Sequence, residues 1–445
     1  MGVVRLIPLL RSLIALGAIA SCGPVFATQT EIVPTDDFRS AMQNLHAGDS
    51  LLLDSGTYSL TGYFELDLFG TSSLPIVIEA APGQHPNINF VGTSQNIINI
   101  NNSTFLTLDG IEFTGGSRGL RFDGGSDVTV QNCVVHGTDA NAIAANDDGE
   151  DYARFKFIHN EIYDTGDTGE GFYLGCNGDA CRIHDSLVAN NYIHDLNGAR
   201  ISQGDGIEIK KGSYANVVRD NVIHDTNYPG ITMYDVNGNG SPNIIERNII
   251  WNSNDAGIQI TADAIVRNNI VLSSANNAFF SNNIDGGSAA NLTIVNNTFL
   301  APNTDGIRLN GVSGAVTIAN NAIYAPNHYA IRANGTTTDV ILVANAGQGA
   351  LNGVSGEFAN TGNMTNDFYG ASLSGAPPQN LVPKGALLVG TANAAYLPLD
   401  DFDGYARAGH ADIGAYRTHS SGTPGWTITA GFKVVDEIFP ANFEP

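Results

Sequence analysis

Residues 216–233 read NVVRDNVIHDTNYPGITM, and this stretch contains the pattern that decides the fold. Its first part, residues 216–219, is a short run that starts with Asn and continues with Val. Its second part starts at Asn221 and continues with Val and Ile. Its third part starts at Gly230 and alternates apolar with polar residues, which is the period of a half-buried strand.

The same three parts recur through most of the chain. The Asn phrase, one Asn followed by two or three apolar or β-branched positions, starts at Asn160, Asn191, Asn221, Asn248, Asn269, Asn297 and Asn321. Successive members are 21 to 31 positions apart, and Asn132 and Asn345 extend the series at either end. The Gly phrase starts at Gly119, Gly171, Gly206, Gly230, Gly257 and Gly306. A repeat of this length without a helical period indicates a solenoid of stacked coils.

Three short strands in every coil predict an all-β, single-stranded parallel β-helix. Each coil would stack on the previous one at the strand spacing of about 4.8 Å. The recurring Asn would then form an internal ladder, in which each side-chain amide bonds to the backbone and to the next Asn. This position accounts for a buried polar residue without any catalytic role.

The composition agrees with a β-solenoid and excludes several classes of protein. Charged residues make up only 14% of the 445 residues, which disfavours long solvated helices, and 42% are hydrophobic, which is too many for a disordered chain. The formal net charge is −24. A surface this acidic does not bind nucleic acid non-specifically, because phosphate binding requires basic groups. An anionic polymer would need a local cationic patch or a bridging metal.

Residues 1–27 are expected to be an export signal. Arg5 and Arg11 precede an apolar run over residues 13–20, and residues 25–27 (VFA) offer a cleavage site. In a competing interpretation, the IASC sequence ending at Cys22 is a bacterial lipobox and that Cys carries a lipid anchor. The apolar run is too short for an ordinary transmembrane helix, and no later segment approaches the required length. We therefore expect a bacterial monomer that is secreted, periplasmic or attached to the outer surface.

The remaining chain is expected to divide into a cap, the β-helix and a tail. Residues 28–48 would form the N-terminal cap, with a capping helix over Thr35 to His46 that covers the open edge of the first coil. The β-helix is expected over residues 49–416, with a closing strand over Asp412 to Tyr416. Residues 417–445 would form a partly ordered C-terminal tail.

Two of the four cysteines are expected to form a disulfide. Cys176 and Cys181 bracket the turn-rich tetrapeptide NGDA and would close a small loop in an oxidising compartment. Cys133 lies in an apolar run and is expected to be a buried thiol. Zinc binding is disfavoured, because no second pair of Cys or His residues has suitable spacing.

Strand alternation also predicts which side chains point away from the core. In the Gly phrases the apolar residues would face inward, so the residues between them would face solvent. Stacked coils would place these side chains on one face: Tyr173, Glu208, Lys210, Thr232, Tyr234 and Gln259. Long loops would wall this face and make it a groove suited to a linear polymer. The candidate substrate-binding residues are Tyr173, Glu208, Lys211, Thr232 and Gln259.

Two carboxylates are expected beside this face. Glu170 and Asp205 occupy the same position of successive coils, directly before the Gly of the Gly phrase, and would be roughly 5 Å apart. Two carboxylates at this distance need a shared proton, a neighbouring cation or a metal ion. The candidates are Ca²⁺, which prefers several carboxylate oxygens, and the side chains of Lys210 and Lys211.

Two longer phrases resemble known proteins. Residues 48–83 include GDSLLLDSGTY and LPIVIEAAPG, and this opening resembles that of the chondroitinase B and alginate lyase family, polysaccharide lyase family six. Residues 401–416 follow the pattern DxxGxxRxxxxDIGAY, which is similar to a common terminus of bacterial right-handed β-helix proteins. The resemblance covers most of residues 45–416 and implies a right-handed parallel β-helix that acts on carbohydrate.

The resemblance implies roles for individual residues as well. The family carries an acidic residue five positions before a catalytic Lys, and Asp205 precedes Lys210 by five, which implies a Ca²⁺ ligand and a base. Gln203 stands where the family has a second acid. Tyr234 stands where the family has an Arg one coil later, so the chain departs from the family pattern at a catalytic position.

The chemistry expected at this face is β-elimination from a uronic-acid polysaccharide. Lys210, with a pKa lowered by partial burial, would remove the C5 proton, and Tyr234 or His224 would protonate the leaving oxygen. Simpler interpretations remain open for each residue. Lys210 would pair with Glu208 or Asp205, and Tyr234 would stack on a sugar ring. His224 would belong to an outer aromatic ladder, which would contain Tyr163, His194, His224 and Trp251.

Other functions fit the same face. A C5-epimerase would abstract the same proton, and an inverting glycoside hydrolase would use Asp205 with another carboxylate. Outside the enzymes, a glycan-binding or surface structural β-helix without activity would account for the acidity, the lipobox and the missing Arg. The expected partner in each case is an anionic polysaccharide, with Ca²⁺ as the expected cofactor of the lyase.

Overall fold

The computed structural model describes residues 27–301 and 303–434. The predicted export signal with its lipobox Cys22, and the last residues of the predicted tail, lie outside these described residues. Among the described residues, none of the helices has the length and apolar character required to cross a membrane.

The first sheet of the solenoid contains 13 parallel strands, one from each successive coil. Each strand pairs with its counterpart one coil away, so all strands run in the same direction. The strands are Gln29–Ile32, Ser50–Leu53, Ile76–Ala80, Leu106–Asp109, Thr129–Gln131, Lys156–Ile158, Leu187–Ala189, Val217–Arg219, Asn243–Glu246, Ala264–Arg267, Leu292–Val295, Val316–Ala319 and Val340–Val343.

The second sheet follows the turn that comes after the first sheet in every coil. Its strands are Gly56–Leu60, Pro86–Phe90, Glu112–Gly115, Val134–His136, Glu161–Tyr163, Tyr192–Ile193, Val222–Thr226, Ile249–Ser253, Ile270–Val271 and Thr298–Leu300. The third sheet carries the Gly phrases. Its strands are Glu65–Leu66, Ile98–Asn101, Leu120–Asp123, Ile143–Ala145, Phe172–Leu174, Ile207–Ile209, Ile231–Met233, Ile258–Ile260, Phe279–Ser281 and Ile307–Val312.

In the last coils the second and third sheets become continuous. The long strands Ala322–Gly335 and Asn345–Asn352 run through both, and Phe358–Ala359 pairs with the second of them. Several smaller elements lie outside the three sheets. They are the three-stranded sheet Gly125–Ser126, Asp151–Ala153 and Arg182–His184, the antiparallel pair Phe368–Gly370 and Asn380–Pro383, the helices Phe38–Gln43 and Met364–Asp367, and the 3-10 turns Asn177–Asp179, Thr337–Asp339 and Ala394–Tyr396.

The interior of the coils is apolar, as the alternation predicts. Ile207 and Ile209 lie in the buried core together with Ile231 and Met233 of the next coil. Equivalent Ile, Val, Leu and Phe side chains stack through the length of the solenoid, so one continuous core supports every coil. The predicted all-β parallel β-helix is therefore confirmed.

The predicted asparagine ladder is present and buried. Asn221 shows its geometry: its amide nitrogen donates to Asn248 Oδ1 at 2.9 Å and to the Val188 carbonyl at 2.9 Å, and its Oδ1 accepts from both nitrogens of Asn191. The ladder members are Asn160, Asn191, Asn221, Asn248, Asn269, Asn297, Asn321 and Asn345. Each amide thereby satisfies turn groups that would otherwise be buried without a partner.

The ladder does not extend to Asn132, which is a correction to the sequence interpretation. Cys133 occupies the ladder position of that coil, since its backbone N–H donates to Asn160 Oδ1 at 3.0 Å. Asn132 itself is exposed and adopts a left-handed backbone with φ of 53°. The buried Cys133 thiol is free, as predicted.

The N-terminal cap is shorter than the predicted helix and includes a strand. The helix spans Phe38–Gln43 instead of Thr35 to His46, and Asp37 caps its start by accepting from the Ser40 N–H. Phe38 and Met42 are buried against the first coils. Gln29–Ile32 pairs in register with Ser50–Leu53 and so belongs to the first sheet.

The chain after residue 359 leaves the solenoid, whereas the sequence places coils up to residue 416. We call residues 364–434 the C-terminal strap. The strap runs back over the outside of the second sheet, where Phe402, Tyr416 and Trp426 are buried with outward side chains such as Trp251. The predicted closing strand at Asp412 to Tyr416 is absent; its backbone instead accepts hydrogen bonds from Asn296.

Candidate functional site

A column of polar residues lies directly before the third sheet. Glu170 and Asp205 occupy the same position in neighbouring coils, because the N–H of Gly171 donates to the Asp205 carbonyl at 2.9 Å. Both carboxylate side chains are buried. The predicted stacking of these two carboxylates is thus present in the structure.

The same column contains two residues that the sequence interpretation missed. Asn141 precedes Glu170 by one coil, and Arg118 precedes Asn141. Arg118 Nε donates to Asn141 Oδ1 at 3.0 Å, and the Asn141 amide donates to Glu170 Oε2. Arg118 stands directly before the Gly119 phrase, so aligning the residue before each Gly would have found it. The chain Arg118–Asn141–Glu170 holds one oxygen of the Glu170 carboxylate in place.

The outward row of the third sheet aligns the predicted polar side chains. Tyr173 pairs in register with Glu208, Glu208 with Thr232, and Thr232 with Gln259. The side chains point away from the apolar core, as alternation predicts. Two of them do not face solvent, however: Glu208 is 3% exposed and Thr232 is 3% exposed, whereas Tyr173 and Gln259 are half-buried. Strand alternation predicts the direction of a side chain and not its exposure.

Lys210 lies beside this row, two positions after Glu208, and is 5% exposed. Its Nζ is 2.5 Å from Glu208 Oε1, 4.6 Å from the ring centre of Tyr173 and 5.0 Å from that of Tyr234. The Tyr234 hydroxyl donates to the same Glu208 oxygen at 3.3 Å. An ammonium group between two aromatic faces and a carboxylate is strongly held in its charged form.

The pKa of Lys210 is raised, not lowered as the sequence interpretation expects. Burial by itself favours the neutral amine, but the adjacent Glu208 carboxylate outweighs burial and keeps the proton on Lys210. The pKa of the Tyr234 hydroxyl is also raised, first by burial and then by Glu208. Both groups therefore carry their protons at neutral pH in the described state.

Three carboxylates converge beside Lys210 and could hold a metal ion. One oxygen from each of Glu170, Asp205 and Glu208 lies within 4.8 Å of the others. Glu170 Oε1 and Glu208 Oε2 are buried without a hydrogen-bond partner, while Thr232 donates to Asp205 Oδ1 at 2.5 Å. Burial raises the pKa of each of the three carboxyl groups.

This donor set fits Ca²⁺. It consists of carboxylate oxygens alone, which suit hard cations and not the transition metals that prefer nitrogen or sulfur. The two partnerless buried oxygens, on Glu170 and Glu208, are the atoms that a cation would satisfy. Glu208, which the sequence interpretation assigns to substrate, is therefore a third candidate ligand beside Glu170 and Asp205.

The structure does not bring His224 to Lys210. The His224 ring lies on the outer face of the second sheet, 4.4 Å from the Trp251 ring and 5.5 Å from the His194 ring, with Nδ1 2.5 Å from Asp225 Oδ2. Tyr163 continues the stack. The aromatic ladder is therefore the interpretation of His224 that the structure supports.

Lys211 contacts the loops that flank the outward row, which we call the wall of the site, and does not lie on the row itself. Its Nζ donates to the Asp285 carbonyl at 2.7 Å and lies 3.8 Å from Asp235 Oδ2. Gln259 lies on the row, one coil beyond Thr232, and is half-buried. The structure thus separates Lys211 from the other candidate substrate-binding residues.

A disulfide-closed loop forms part of the same wall. Cys176 and Cys181 are bonded, as predicted, and enclose the turn Asn177–Asp179. The Asp179 carboxylate accepts from Asn237 at 2.8 Å and from Asn239 at 3.1 Å, so it ties this loop to the loop of a later coil. Gly175 comes directly before this loop and packs closely against Lys210, since a Cβ added to the glycine would lie 3.1 Å from Lys210 Cβ.

Two family models match the chain. The model described as Pel9A-like, right handed beta helix region matches residues 18–195, and the model described as Right handed beta helix region matches residues 203–346. Both describe right-handed β-helices, which confirms the predicted right-handed fold and the resemblance to such proteins. No curated protein matches the chain.

Several solved structures are similar to this chain at low identity. XylC in its complex with xylose matches with a TM-score of 0.51 at 11% identity, over 75% of this chain and 86% of that chain. Pectate lyase Pel9A matches with a TM-score of 0.48 at 15% identity, over 89% and 98%. A mannuronic acid specific polysaccharide family 6 lyase from human gut microbiota matches with a TM-score of 0.48 at 17% identity, over 75% and 87%. At these identities the likeness is one of fold alone.

Proposed function

We propose that this protein is an extracytoplasmic polysaccharide lyase that cleaves a uronic-acid-containing polysaccharide by β-elimination. One observation carries the proposal: the Lys210 ammonium group lies against Glu208 and between Tyr173 and Tyr234, directly beside three convergent carboxylates. Proton-transfer groups thus adjoin a cation site. The family model described as Pel9A-like covers Glu170 and Tyr173, and Pel9A itself is a pectate lyase with a similar fold.

β-Elimination requires that the C5 proton of the uronate become more acidic, and the groups at this site can provide this. The proton at C5 of a uronate is acidic only when the adjacent carboxylate is neutralised. Ca²⁺ held by Glu170, Asp205 and Glu208 would supply that neutralisation when bound. Three carboxylate oxygens that lie within 4.8 Å of one another suit a shared cation.

Lys210 and Tyr234 divide the proton transfers. Lys210 takes the C5 proton, the electron pair of that C–H bond forms the C4–C5 double bond, and the C4–O bond breaks. Tyr234 gives its proton to the leaving oxygen, which its high pKa keeps available at neutral pH. In the described state Glu208 keeps Lys210 protonated. The Lys210–Glu208 bond must therefore open and Lys210 must give its proton to solvent before the amine can take the C5 proton.

The assignment of Tyr234 to the family's Arg position stays a prediction, and so does the location of the protein. The Cys176–Cys181 disulfide supports an extracytoplasmic compartment, since such bonds persist under oxidising conditions. Fractionation of the source bacterium with an antibody against this chain would test the location. Recovery in the cytoplasmic fraction would contradict it.

The experiment that tests the lyase proposal incubates the protein with polygalacturonate, polymannuronate and polyguluronate in the presence of Ca²⁺. We expect an ultraviolet absorbance increase from the unsaturated product, and its loss in Lys210→Ala. Lys156→Ala, which removes an exposed Lys from the first sheet, is the matched control and should retain activity. New reducing ends without absorbance would replace the lyase by a hydrolase.

A C5-epimerase is the second candidate, and one observation favours it. Tyr173 and Tyr234 both flank Lys210 Nζ, at 4.6 and 5.0 Å, so a proton can be removed and returned from different directions. Incubation in deuterated water followed by NMR distinguishes the two activities. Deuterium at C5 without chain cleavage would identify the epimerase, whereas neither signal would leave a glycan-binding solenoid.

A further inference from the structure

We propose that Arg308 and Arg332 form a distal carboxylate-binding subsite on the same outward row as Glu208, so that long anionic chains bind more tightly than short ones. The inference rests on the proposed function, because it assumes that the occupant is the same anionic polysaccharide. It adds a second contact region, remote from the three carboxylates, and thereby makes recognition depend on chain length.

The strand register carries the outward row to both arginines. Gln259 pairs with Phe280, Phe280 with Arg308, and Arg308 with Arg332. Arg332 therefore lies five register steps beyond Glu208 on the same face. At about 4.8 Å per coil this is roughly 24 Å along the solenoid axis. A linear polymer that lies along the axis over Tyr173 and Tyr234 would reach the arginines without bending.

Arg308 lies beside an amide group and an aromatic ring. Its guanidinium Nε makes a 3.4 Å contact with Asn310 Oδ1, and its Cζ lies 5.8 Å from the Phe280 ring centre. Within the described part of the chain, no carboxylate forms an ion pair with Arg308. The chain has 44 acidic and only 20 basic residues, so an arginine without a carboxylate partner is available to an anionic ligand.

Arg332 extends the same cationic patch by one coil. Its side chain is 42% exposed, and its NH1 lies 3.7 Å from Asp305 Oδ2, beyond ordinary hydrogen-bond distance. Its Cζ also lies 5.6 Å from the Tyr329 ring centre. Asp305 is buried, whereas the Arg332 guanidinium reaches the surface without a hydrogen bond to it, so the exposed N–H groups of Arg332 can donate to a ligand carboxylate.

Amide groups run beside the two arginines and complete a surface suited to sugar. The Asn310 amide donates to Asn282 Oδ1 at 3.3 Å, and the Asn334 amide donates to Asn310 Oδ1 at 3.2 Å. Amides offer donors and acceptors to sugar hydroxyls, while the half-buried Tyr329 offers a ring face. Guanidinium, amide and aromatic groups close together on this face match the carboxylate, hydroxyl and ring faces of a uronate chain.

The test measures the affinity of oligogalacturonates and oligomannuronates of increasing length by calorimetry. The protein carries Lys210→Ala, so that no chain is consumed. We expect affinity to rise with length until the chain spans roughly 24 Å beyond Glu208, and to fall with added salt. Arg308→Gln together with Arg332→Gln should remove this rise, weakening long chains about tenfold and leaving short chains unchanged.

The matched control is Arg154→Gln, which removes an arginine paired with Asp127 on a different face. It should bind chains of every length like the parent. Equal weakening of short and long chains, or weakening by the control alone, would overturn the subsite. Length-dependent binding without any elimination by the protein with Lys210 intact would refute the lyase and keep the subsite. Elimination whose length dependence persists after both Arg substitutions would support the lyase and refute the subsite.

Discussion

Lys210 Nζ lies 2.5 Å from Glu208 Oε1, and both side chains are buried on a face that strand alternation directs away from the core. Taking both charges out of water is costly unless each keeps its partner. The pair stands beside two further buried carboxyl groups, Glu170 and Asp205, and neither forms an ion pair among the described residues. Burial raises the pKa of both groups, so the site requires protons or a bound cation to hold them together.

Removing Lys210 should destabilise the fold as well as abolish activity. Lys210→Met would leave Glu208 buried and unpaired, and we expect the free energy of unfolding to fall by about 3 kcal/mol. Urea denaturation measures this change. Lys156→Met on the exposed surface should change it by less than about 0.5 kcal/mol. Equal effects of the two substitutions would show that Lys210 is not held by its ion pair.

Calcium should bind to the three carboxylates and stabilise the protein. At a concentration a hundredfold above Kd, one bound ion adds about 3 kcal/mol to the free energy of unfolding. Thermal unfolding with Ca²⁺ and with chelator checks this, and Glu170→Gln should abolish the difference. Glu31→Gln, which removes an exposed carboxylate, is the control. An identical shift in both variants would mean that the ion binds elsewhere.

The C-terminal strap should loosen in acid because of Asp220. Burial opposes its charge, but Lys433 and Arg247 outweigh burial and lower the pKa of Asp220 to about 2. The unfolded value is about 3.9. Because the folded pKa is the lower one, the stabilisation is complete above about pH 4 and is lost as pH falls towards 2.

The size of this effect is about 2 kcal/mol. Denaturant unfolding across that pH window should show the loss in the wild type, and Asp220→Asn should be nearly flat there, although less stable at neutral pH. Asp148→Asn, at an exposed position, should follow the wild-type curve. A wild-type curve without a fall in the window would contradict the assigned ion pairs.

Opening the Cys176–Cys181 loop should raise KM for the polymer and should have only a modest effect on the free energy of unfolding. Replacing both cysteines with Ser frees a short loop, which costs about 2 kcal/mol in the chain-entropy model. The loop carries Asp179, whose bonds to Asn237 and Asn239 brace the wall beside Lys210. We expect KM for the polymer to rise. Asp179→Asn keeps the disulfide and should raise KM by a smaller factor; unchanged KM in both variants would exclude this role.

The asparagine ladder should be the costliest place to lose one amide. Asn221→Ala would remove the acceptor of the Asn191 backbone N–H and the side-chain donor to the Val188 carbonyl, and we expect a loss of about 2 to 3 kcal/mol. Asn132→Gly, at an exposed position outside the ladder, keeps the left-handed backbone and should cost far less. Denaturation midpoints of the two variants decide the point.

The repeat alone was sufficient to predict the coils, since its three parts recur with a period that only stacked strands satisfy. The Asn ladder and the stacking of Glu170 on Asp205 follow from the same periodicity, because residues at one coil position must become neighbours. The disulfide follows instead from the short turn that its two cysteines bracket. The misplacement of Asn132 shows the limit of this reasoning. An Asn that matches the repeat in sequence can lie one position away from the ladder position that strand pairing imposes.

Burial and charge state were decided by the tertiary structure. Strand alternation predicts that the side chains of Glu208 and Lys210 point away from the core. Their exposure to water depends instead on the packing around them, which the repeat does not encode. The pKa of Lys210 is raised because Glu208 lies at 2.5 Å, a distance that no spacing in the sequence encodes. The path of the C-terminal strap over the second sheet likewise depends on contacts between residues more than a hundred positions apart, such as Asn296 with Asp412. Local periodicity therefore determines the coils, whereas the site and the strap depend on packing between distant segments.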